Sequence, residues 1–335
     1  MYKPNEPLKI EPIRFPEPSR DEVLVRIKGS GICSSDLHAL RGELPTAPLP
    51  LVLGHEGAGV IEACGENVNS RKVGERVVID YVFACGNCYY CRSGRPNLCS
   101  NVKLFGFDVN GSFAEYAVVN VRNLVPLPEQ ISYDQGAILG CAVSTPYHAI
   151  RIARLKKDQT VAILGIGGVG YHAALLCKSM GTQLIAIDIS QESLQNAERA
   201  GAELTVNSKA VNTVETVKAF TGQEGVDVAL DFVGNSKTVA NALAVLKKGG
   251  VAVIVGITPG TVELDSLSLL LREVQLRTSI DHTRDDLLAV THLVEEGKLD
   301  LSHSITHRVG LNDINEGFRI LETKVPTPIR VVVAQ

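Results

Sequence analysis

The sequence predicts an α/β protein in two parts, a β-rich region and a doubly wound parallel sheet, and three observations support this. The chain has 335 residues, more than one hydrophobic core usually holds, so two domains are expected. Up to about residue 147, short apolar runs alternate with turns rich in Gly and Pro, which is typical of a β-rich region. From Thr160, apolar runs alternate with segments of helical period, which is typical of βαβ units.

The composition excludes several classes of protein. Apolar residues make up 45% of the chain and charged residues 21%, as in an ordinary globular protein. Lys and Arg total 33 against 37 Asp and Glu, a formal net charge of −4, and no long basic run occurs, so nucleic-acid binding is not expected. The first residues lack the apolar core of a signal peptide, and no later run is long enough to span a membrane. We therefore expect a cytoplasmic protein.

The β-rich part is expected to contain short strands, among them residues 22–27, 59–64 and 75–82. After about residue 284 come a helical pattern, DDLLAVTHLVEEG, and a strand-like run, IRVVVA, which could return to this part. One domain is therefore expected over residues 1–147 plus 285–335, and a second over residues 148–284.

Six apolar runs in the second part are predicted to be parallel strands: TVAIL, LIAIDI, LTVN, VALDFV, VAVIVG and QLRTSI. Both faces of such strands should be buried, as they are when helices cover the two sides of a parallel sheet. Segments of helical period, such as YHAALLCKSMG, lie between the runs. The pattern matches a doubly wound sheet.

Four cysteines crowd into one short segment at the spacing Cys-x2-Cys-x2-Cys-x7-Cys. In a reducing compartment such crowding indicates a metal site more than disulfides. Four thiolates complete a tetrahedral zinc shell with no open position, so the predicted site is structural. A redox pair or an iron–sulfur cluster is the main alternative. The four residues are Cys85, Cys88, Cys91 and Cys99.

A second, open metal site is indicated by residues that are far apart in the sequence. Catalytic zinc needs only three protein ligands, because one position is left for water or substrate. Cys33 in GICSSDLH, His55 in GHEGAG and Cys141 in LGCAVST could supply a Cys2His set, and Glu56 follows His55 directly. Each residue alone is weak support, because a buried cysteine is usually a small core residue.

The run TVAILGIGGVG matches a dinucleotide-binding loop. It places G-x-G-x-x-G directly after a predicted strand and at the start of a predicted helix, whose N–H groups favour a pyrophosphate. Asp188 ends the next strand, where a carboxylate can accept hydrogen bonds from a ribose. No cation follows it, so NAD is favoured over NADP. The alternative is a glycine turn that binds nothing. The loop glycines are Gly165, Gly167, Gly168 and Gly170.

Over essentially its whole length the chain resembles the zinc-dependent alcohol dehydrogenases of the medium-chain dehydrogenase/reductase family. The resemblance rests on GICSSDLH, GHEGAG, the four-cysteine segment, GSFAEYAVV, LGCAVSTPY and ILGIGGVG, in the order those enzymes show. It implies a GroES-like catalytic domain around an inserted Rossmann domain, with the substrate between them. It also implies two zinc ions per chain and reversible, NAD-linked oxidation of primary or secondary alcohols to aldehydes or ketones.

The resemblance assigns roles at the open metal site. It implies that Cys33, His55 and Cys141 hold the catalytic zinc. Asp36 would orient His55, and Glu56 would lie close to the metal. Such outer partners fix the tautomer and the geometry of the ligands.

The resemblance assigns further roles in proton transfer and cofactor binding. Ser35 would bond the substrate oxygen, and His38 would form the solvent end of a proton relay. Thr145 and Val169 would pack against the nicotinamide. Arg330 would reach the cofactor pyrophosphate.

Some positions depart from the family pattern. Ser34 replaces a basic or imidazole residue that is common after the first ligand, which would loosen NAD. Asp281 and His282 occupy a stretch that usually holds an apolar residue and a glycine in these enzymes, so the resemblance does not assign the cofactor contacts of this stretch. Leu40 stands where many relatives carry tryptophan. If Leu40 faces the substrate, medium-length, cyclic or secondary alcohols should outperform ethanol; the alternative is that it points into the core.

A polyol or sugar dehydrogenase of the same family is the nearest alternative, but such relatives usually carry glutamate where this chain has Cys141. An enoyl reductase is less favoured, because such reductases often lack catalytic zinc. A zinc-ribbon binding protein is disfavoured by the acidic charge balance and the cofactor motif. Relatives of this length are often tetramers. We expect a homotetramer that acts on a small alcohol or carbonyl substrate, without nucleic-acid or membrane partners.

Overall fold

The computed structural model describes residues 1–324 and 327–335 and divides into two compact units. Unit 1 comprises Met1–Ser144 and Asp281–Gln335, and unit 2 comprises Thr145–Ile280. The expected divisions at 147/148 and 284/285 lie a few residues further along the chain. Within the described ranges, no helix has the length and apolar character needed to cross a membrane.

The first segment of unit 1 is built mainly from strands. Two short 3₁₀ turns, Pro96–Leu98 and Val121–Asn123, interrupt it, and a π-helical turn, Leu139–Val143, ends it. The other elements are β1 (Glu22–Ile32), α1 (Ser34–Leu40), β2 (Glu56–Cys64), β3 (Arg76–Ile79), β4 (Val82–Phe83), α2 (Tyr89–Arg92), β5 (Lys103–Leu104), β6 (Tyr116–Asn120), β7 (Leu124–Pro126) and α3 (Tyr133–Ile138).

Unit 2 is a six-stranded parallel sheet with intervening helices. Its elements are α4 (Ser144–Ala153, which begins at the last residue of unit 1), β8 (Thr160–Leu164), α5 (Gly168–Ser179), β9 (Gln183–Asp188), α6 (Gln191–Arg199), β10 (Leu204–Asn207), α7 (Thr213–Phe220), β11 (Val226–Asp231), α8 (Ser236–Ala244), β12 (Leu246–Ile254), α9 (Ser266–Arg272) and β13 (Gln275–Thr278).

The strand order in unit 2 is β10-β9-β8-β11-β12-β13, and every pairing is parallel. Numbered from β8, this is the 3-2-1-4-5-6 order of a doubly wound dinucleotide-binding sheet. The predicted parallel sheet is confirmed. One expectation is wrong: β13 is not buried on both faces, because it forms an edge of the sheet and is largely exposed.

The chain then returns to unit 1 with α10 (Arg284–Glu295), β14 (Ile305–Gly310), a 3₁₀ turn (Leu311–Asp313), α11 (Ile314–Thr323) and β15 (Arg330–Ala334). The sheet order is β14-β15-β1-β2-β3-β7, with β6 also pairing with β1. β15 runs antiparallel to β1, with Ser30 opposite Val333. The run IRVVVA therefore completes the sheet that begins with β1.

Local capping defines the start of the helix that leads to the π-helical turn. The Ser132 side chain accepts a hydrogen bond from the backbone N–H of Gln135, and the Gln135 side chain accepts one from the backbone N–H of Ser132. This reciprocal pair satisfies donors that the first helical turn leaves open. π-helical turns are rare and often occur at functional sites. Here the turn contains Cys141.

Leu40 belongs to a hydrophobic cluster of unit 1. It is one of the partly buried residues that pack against a buried group including Met1, Leu8, Ile314 and Phe318. A small cavity of about 290 Å³ beside Leu40 is lined by the N-terminal segment and by α11, including Phe318. Leu40 is half-buried against this cluster and lines that cavity, which contains none of the possible metal ligands, so the structure favours the packing alternative for Leu40.

Candidate metal centre and cofactor loop

Cys85, Cys88, Cys91 and Cys99 lie together in the segment between β4 and β5. The Sγ atom of Cys88 is 3.5 Å from that of Cys91 and 3.8 Å from that of Cys99, and the Sγ atoms of Cys85 and Cys91 are 3.9 Å apart. Backbone N–H groups of Cys91 and Ser100 lower the pKa of Cys88 to about 6, which favours the thiolate. Burial, followed by the hydrogen bond with Cys88, raises the pKa of Cys91 to about 11, a shift that a bound cation would oppose. Four thiolates at this spacing fit a closed tetrahedral zinc shell.

A second set of possible metal ligands lies in unit 1. Cys33 follows β1 and caps α1, His55 precedes β2, and Cys141 lies in the π-helical turn. Separate elements thus bring together residues that are far apart in the sequence. The ligand atoms lie within 4.8 Å of one another, and all four residues are buried: Cys33, His55, Glu56 and Cys141.

Asp36 holds two members of this set in place. Its Oδ2 accepts a hydrogen bond from the backbone N–H of Cys33 at 2.9 Å, and its Oδ1 lies 3.0 Å from Nδ1 of His55. With Nδ1 bonded to the carboxylate, Nε2 is the nitrogen of His55 that can bind a metal. Burial disfavours the charged imidazole, but the Asp36 carboxylate and the Cys33 thiol raise the pKa of His55 well above its usual value.

The thiol chemistry of the set also fits a cation. A hydrogen bond with Cys141 lowers the pKa of Cys33 well below its usual range; burial opposes this shift, and His55 adds to it. The thiolate is the form of cysteine that binds zinc. The donors are two sulfurs and an imidazole nitrogen, which is a known combination for catalytic zinc.

Glu56 is fully buried beside these residues and pairs with Arg330. The guanidinium Nη2 donates to Oε2 of Glu56, and Arg330 is only 3% exposed. The other oxygen, Oε1, is buried and has no hydrogen-bond partner in the described part of the chain. Burial raises the pKa of Glu56 to about 7, although Arg330 opposes the shift. An unsatisfied buried oxygen is costly, and a nearby cation would relieve that cost. The structure thus gives Arg330 a partner that the resemblance did not name, and its contact with the cofactor stays a prediction.

Tyr81, which the sequence reasoning missed, lies against this set. Its ring centroid is 5.1 Å from that of His55, and its hydroxyl is 4.0 Å from Sγ of Cys141. The same hydroxyl donates to Oδ1 of Asp281 at 2.9 Å. Burial, followed by the charge of Asp281, raises the pKa of Tyr81 well above its usual value, so the hydroxyl stays a donor.

His282 supports Tyr81 from another side. Its buried ring lies edge-on to the Tyr81 ring at 5.1 Å, and its Nε2 is 3.3 Å from Oδ1 of Asp80. A tyrosine in an apolar run does not indicate a metal or substrate site, so Tyr81 could not be predicted from the sequence as a residue of this site. The unusual pair Asp281 and His282 was the available sequence clue.

Ser35 and His38 lie on α1. Oγ of Ser35 is 3.9 Å from Sγ of Cys33, which places it beside the metal-ligand set. The His38 side chain is 32% exposed, and its Nδ1 pairs with the Glu43 carboxylate. Ser35 is thus placed to exchange a proton with a substrate at the metal-ligand set, and His38 is placed to exchange one with solvent. The roles themselves stay predictions.

The glycine loop joins β8 to α5 in unit 2. Gly165 has φ +89°, a left-handed conformation that disfavours other residues. A Cβ added at Gly170 would collide with the carbonyl oxygen of Gly165. A Cβ added at Gly167 would meet nothing within 4 Å. Open space next to Gly167, at the start of α5, fits the close approach of a pyrophosphate.

Asp188 ends β9 and is bound to this loop. Its Oδ2 accepts from the backbone N–H of Ile166 at 2.6 Å. Gly168 and Val169 are the first two residues of α5, and Val169 is half-buried. Thr145 is buried in α4 of the same unit. The nicotinamide contacts of Thr145 and Val169 stay predictions.

Comparison with known proteins agrees with this arrangement. The alcohol dehydrogenase GroES-like domain matches residues 19–129, and the zinc-binding dehydrogenase family matches residues 168–296. An alcohol dehydrogenase from Geobacillus stearothermophilus is 36% identical over 311 residues, 92% of each chain. The chain belongs to the zinc-type medium-chain alcohol dehydrogenase family.

Other members of this zinc-type alcohol dehydrogenase family are similar over nearly the whole chain. An NAD-dependent alcohol dehydrogenase from Sulfurisphaera tokodaii is 32% identical over 327 residues, 95% of this chain and 94% of that one. The solved structure of the alcohol dehydrogenase from Aeropyrum pernix has a TM-score of 0.91 at 33% identity and covers 100% of this chain and 98% of its own. The predicted GroES-like and doubly wound fold is therefore confirmed.

Proposed function

We propose that this chain is an NAD-linked alcohol dehydrogenase with two zinc ions, which interconverts primary or secondary alcohols with aldehydes or ketones. The observation that carries the proposal is the buried convergence of Cys33, His55 and Cys141 beside the unsatisfied Oε1 of Glu56. Three protein ligands leave one position of a tetrahedral zinc for substrate. The four-cysteine segment, in contrast, would hold a structural zinc. The Sulfurisphaera tokodaii relative is an NAD-dependent alcohol dehydrogenase, which supports NAD as the cofactor here.

When bound, zinc supplies a Lewis acid for the alcohol oxygen, and NAD supplies the acceptor for hydride from the carbinol carbon. The chain itself orients the ligands through Asp36 and moves the proton. Oγ of Ser35, beside Cys33, would accept the hydroxyl proton of the substrate and release its own hydroxyl proton to the relay. His38 is partly exposed and paired with Glu43, so it would pass that proton to solvent. Asp188, next to the glycine loop, would accept from the adenosine ribose and disfavour a 2′-phosphate.

A polyol or sugar dehydrogenase is the second candidate. It is favoured by the Asp281 carboxylate, held by Tyr81 close to the metal-ligand set, because a carboxylate can accept hydrogen bonds from additional hydroxyl groups. Cys141 as the third ligand argues for the alcohol dehydrogenase.

The proposal also includes assembly of this chain into a homo-oligomer, with a tetramer favoured over a dimer. Three leucines of α9, Leu267, Leu270 and Leu271, are 62–71% exposed. They lie just before the edge strand β13. Exposed apolar residues beside a sheet edge are typical of a surface that another subunit covers. Light scattering on a size-exclusion column measures the mass, and a monomer at all concentrations would contradict this part.

The main test combines metal analysis with NADH absorbance. Two zinc ions per chain are expected, together with NADH formation from simple primary and secondary alcohols and a higher kcat/KM with NAD than with NADP. One zinc or none in the native protein would contradict the two-site proposal. Faster oxidation of sorbitol than of any simple alcohol or small vicinal diol would favour the second candidate.

A further inference from the structure

An acceptor group lies close to the metal-ligand set without belonging to it. The Tyr81 hydroxyl is 4.0 Å from Sγ of Cys141 and 2.9 Å from Oδ1 of Asp281. The distance from Sγ of Cys141 to Oδ1 of Asp281 therefore cannot exceed about 7 Å. A small substrate bound at the metal would extend over a comparable length.

The surroundings hold Asp281 in this position. His282 follows it and packs its buried ring edge-on against Tyr81, while Asp80 lies 3.3 Å from the ring of His282. Asp281 itself has φ +53°, a left-handed conformation that is uncommon for residues other than glycine. Such conformations persist where the surrounding structure imposes them, and they concentrate at functional sites.

The carboxylate of Asp281 has capacity left for a ligand. Tyr81 occupies Oδ1, and no hydrogen bond to Oδ2 is recorded from the residues that the structure describes. Within the same residues, no Lys or Arg nitrogen lies within 4.0 Å of the Asp281 or Asp80 carboxylates. Asp281 as a residue is partly buried; burial raises the pKa of its carboxyl group, and the hydrogen bond from Tyr81 opposes that shift. Next to the metal-ligand set, Asp281 therefore offers a carboxyl oxygen that can accept a hydrogen bond.

We propose that Asp281 determines substrate specificity by accepting a hydrogen bond from a hydroxyl or ammonium group on the carbon next to the carbinol carbon. The inference rests on the proposed alcohol dehydrogenase activity and defines its substrate class. An alkyl group placed against Asp281 displaces water from the carboxylate without replacing its hydrogen bond, whereas a hydroxyl or ammonium group donates a new hydrogen bond. Vicinal diols and 2-amino alcohols are therefore preferred over alkyl alcohols of the same size.

The test uses three substrates of nearly equal shape. These are 2-methyl-1-propanol, 1,2-propanediol and 2-amino-1-propanol, which carry a methyl, a hydroxyl and an ammonium group at the same carbon. The corresponding secondary series is 3-methyl-2-butanol, 2,3-butanediol and 3-amino-2-butanol. The zinc-loaded enzyme with NAD should show a higher kcat/KM for the two donor-bearing members of a series than for the methyl member. Their ratio to each other separates hydrogen bonding from charge.

Substitutions at Asp281 then identify the group responsible. Asp281→Asn keeps the size and tolerates the left-handed backbone, and Asp281→Gly removes the side chain and relieves that backbone. Loss of a hydrogen bond to a charged group is expected to reduce the donor-to-methyl ratio about tenfold to a hundredfold in Asp281→Gly. Asp281→Asn should reduce the ratio most for the ammonium substrate. Tyr81→Phe, which releases Asp281, should reduce it partially.

Asp285→Asn is the matched control, since Asp285 is exposed on α10 and should leave the ratio unchanged. Zinc content, melting temperature and the Kd for NADH, measured by fluorescence, should stay at wild-type values in Asp281→Asn. A weakened Kd for NADH with an unchanged substrate ratio would overturn the inference and assign Asp281 to the cofactor. A preference of the wild type for the methyl members would overturn it too, while leaving the alcohol dehydrogenase proposal intact. Absence of NADH formation from every alcohol would overturn both.

Discussion

Substitution by alanine should have different effects at two glycines of the cofactor loop: loss of stability at Gly170 and weaker NADH binding at Gly167. In Gly170→Ala, the new Cβ meets the Gly165 carbonyl, a backbone atom that cannot rotate away. Overpacking of this kind costs about 1–3 kcal/mol. In Gly167→Ala, the new Cβ meets nothing within 4 Å, and φ −82° suits alanine. We expect a change of stability within about 0.5 kcal/mol. The methyl group instead occupies space that a pyrophosphate needs, so the Kd for NADH should rise about tenfold, which is ~1.4 kcal/mol.

Thermal melting and NADH fluorescence titration measure both quantities on the same samples. Gly170→Ala should lower the melting temperature by several degrees, at roughly 2–4 °C per kcal/mol. Gly167→Ala should melt like the wild type and bind NADH weakly. A Gly167→Ala variant that binds NADH as tightly as the wild type would refute the placement of the pyrophosphate. Equal melting of the two variants would refute the steric reasoning.

Four further predictions follow from the site and the core. Cys88→Ser should lose one zinc per chain and lower the melting temperature, because a structural zinc contributes to folding; Cys141→Ser should cost activity with much less effect on melting. Asp188→Ala should narrow the preference for NAD over NADP, measured as a ratio of kcat/KM values. His38→Ala should slow alcohol oxidation chiefly at low pH, where hydroxide cannot replace the missing base, as a pH–rate profile would show. Leu40→Trp should extend into the cavity of about 290 Å³ beside it, change the melting temperature little and leave the ranking of alcohols unchanged.

Each of these has a contradicting outcome. Loss of both zinc ions from either Cys88→Ser or Cys141→Ser would argue against two independent sites. Higher kcat/KM with NADP in the wild type would remove the role of Asp188. An unaltered pH–rate profile in His38→Ala would count against the relay. A folded Leu40→Trp variant with a new substrate ranking would return Leu40 to the substrate pocket.

Features with short-range spacing could be predicted from the sequence. The four-cysteine segment and the glycine loop are each short continuous stretches of sequence, so their geometry follows from local backbone conformation. The alternation of apolar runs and helical segments also predicted the doubly wound sheet, because buried parallel strands need apolar side chains on both faces. The edge strand β13 is the exception, since an apolar run does not tell whether another subunit or solvent covers it.

Features that depend on side-chain direction could not be predicted. Leu40 lies a few residues after Cys33, yet a helix distributes successive residues over all of its faces, and Leu40 packs towards Phe318. The pairing of Tyr81 with Asp281 joins residues 200 positions apart. Nothing local in either segment indicates the other. The unusual residues in SIDHTR pointed to a difference from relatives, but only the structure supplies their partner.

The sheet of unit 1 can be completed only late in biosynthesis, because β15 is translated after unit 2. Cys33, His55 and Cys141 all precede residue 145, so a nascent chain holds every proposed ligand of the open site before unit 2 has been translated. Arg330, the counter-charge of Glu56, follows Glu56 by 274 residues. Until β15 arrives, the stretch of β1 opposite it exposes unpaired backbone groups, and Glu56 lacks its guanidinium. Ribosome-bound chains stopped before β15 should therefore depend more on chaperones, and on early zinc capture, than the finished protein does.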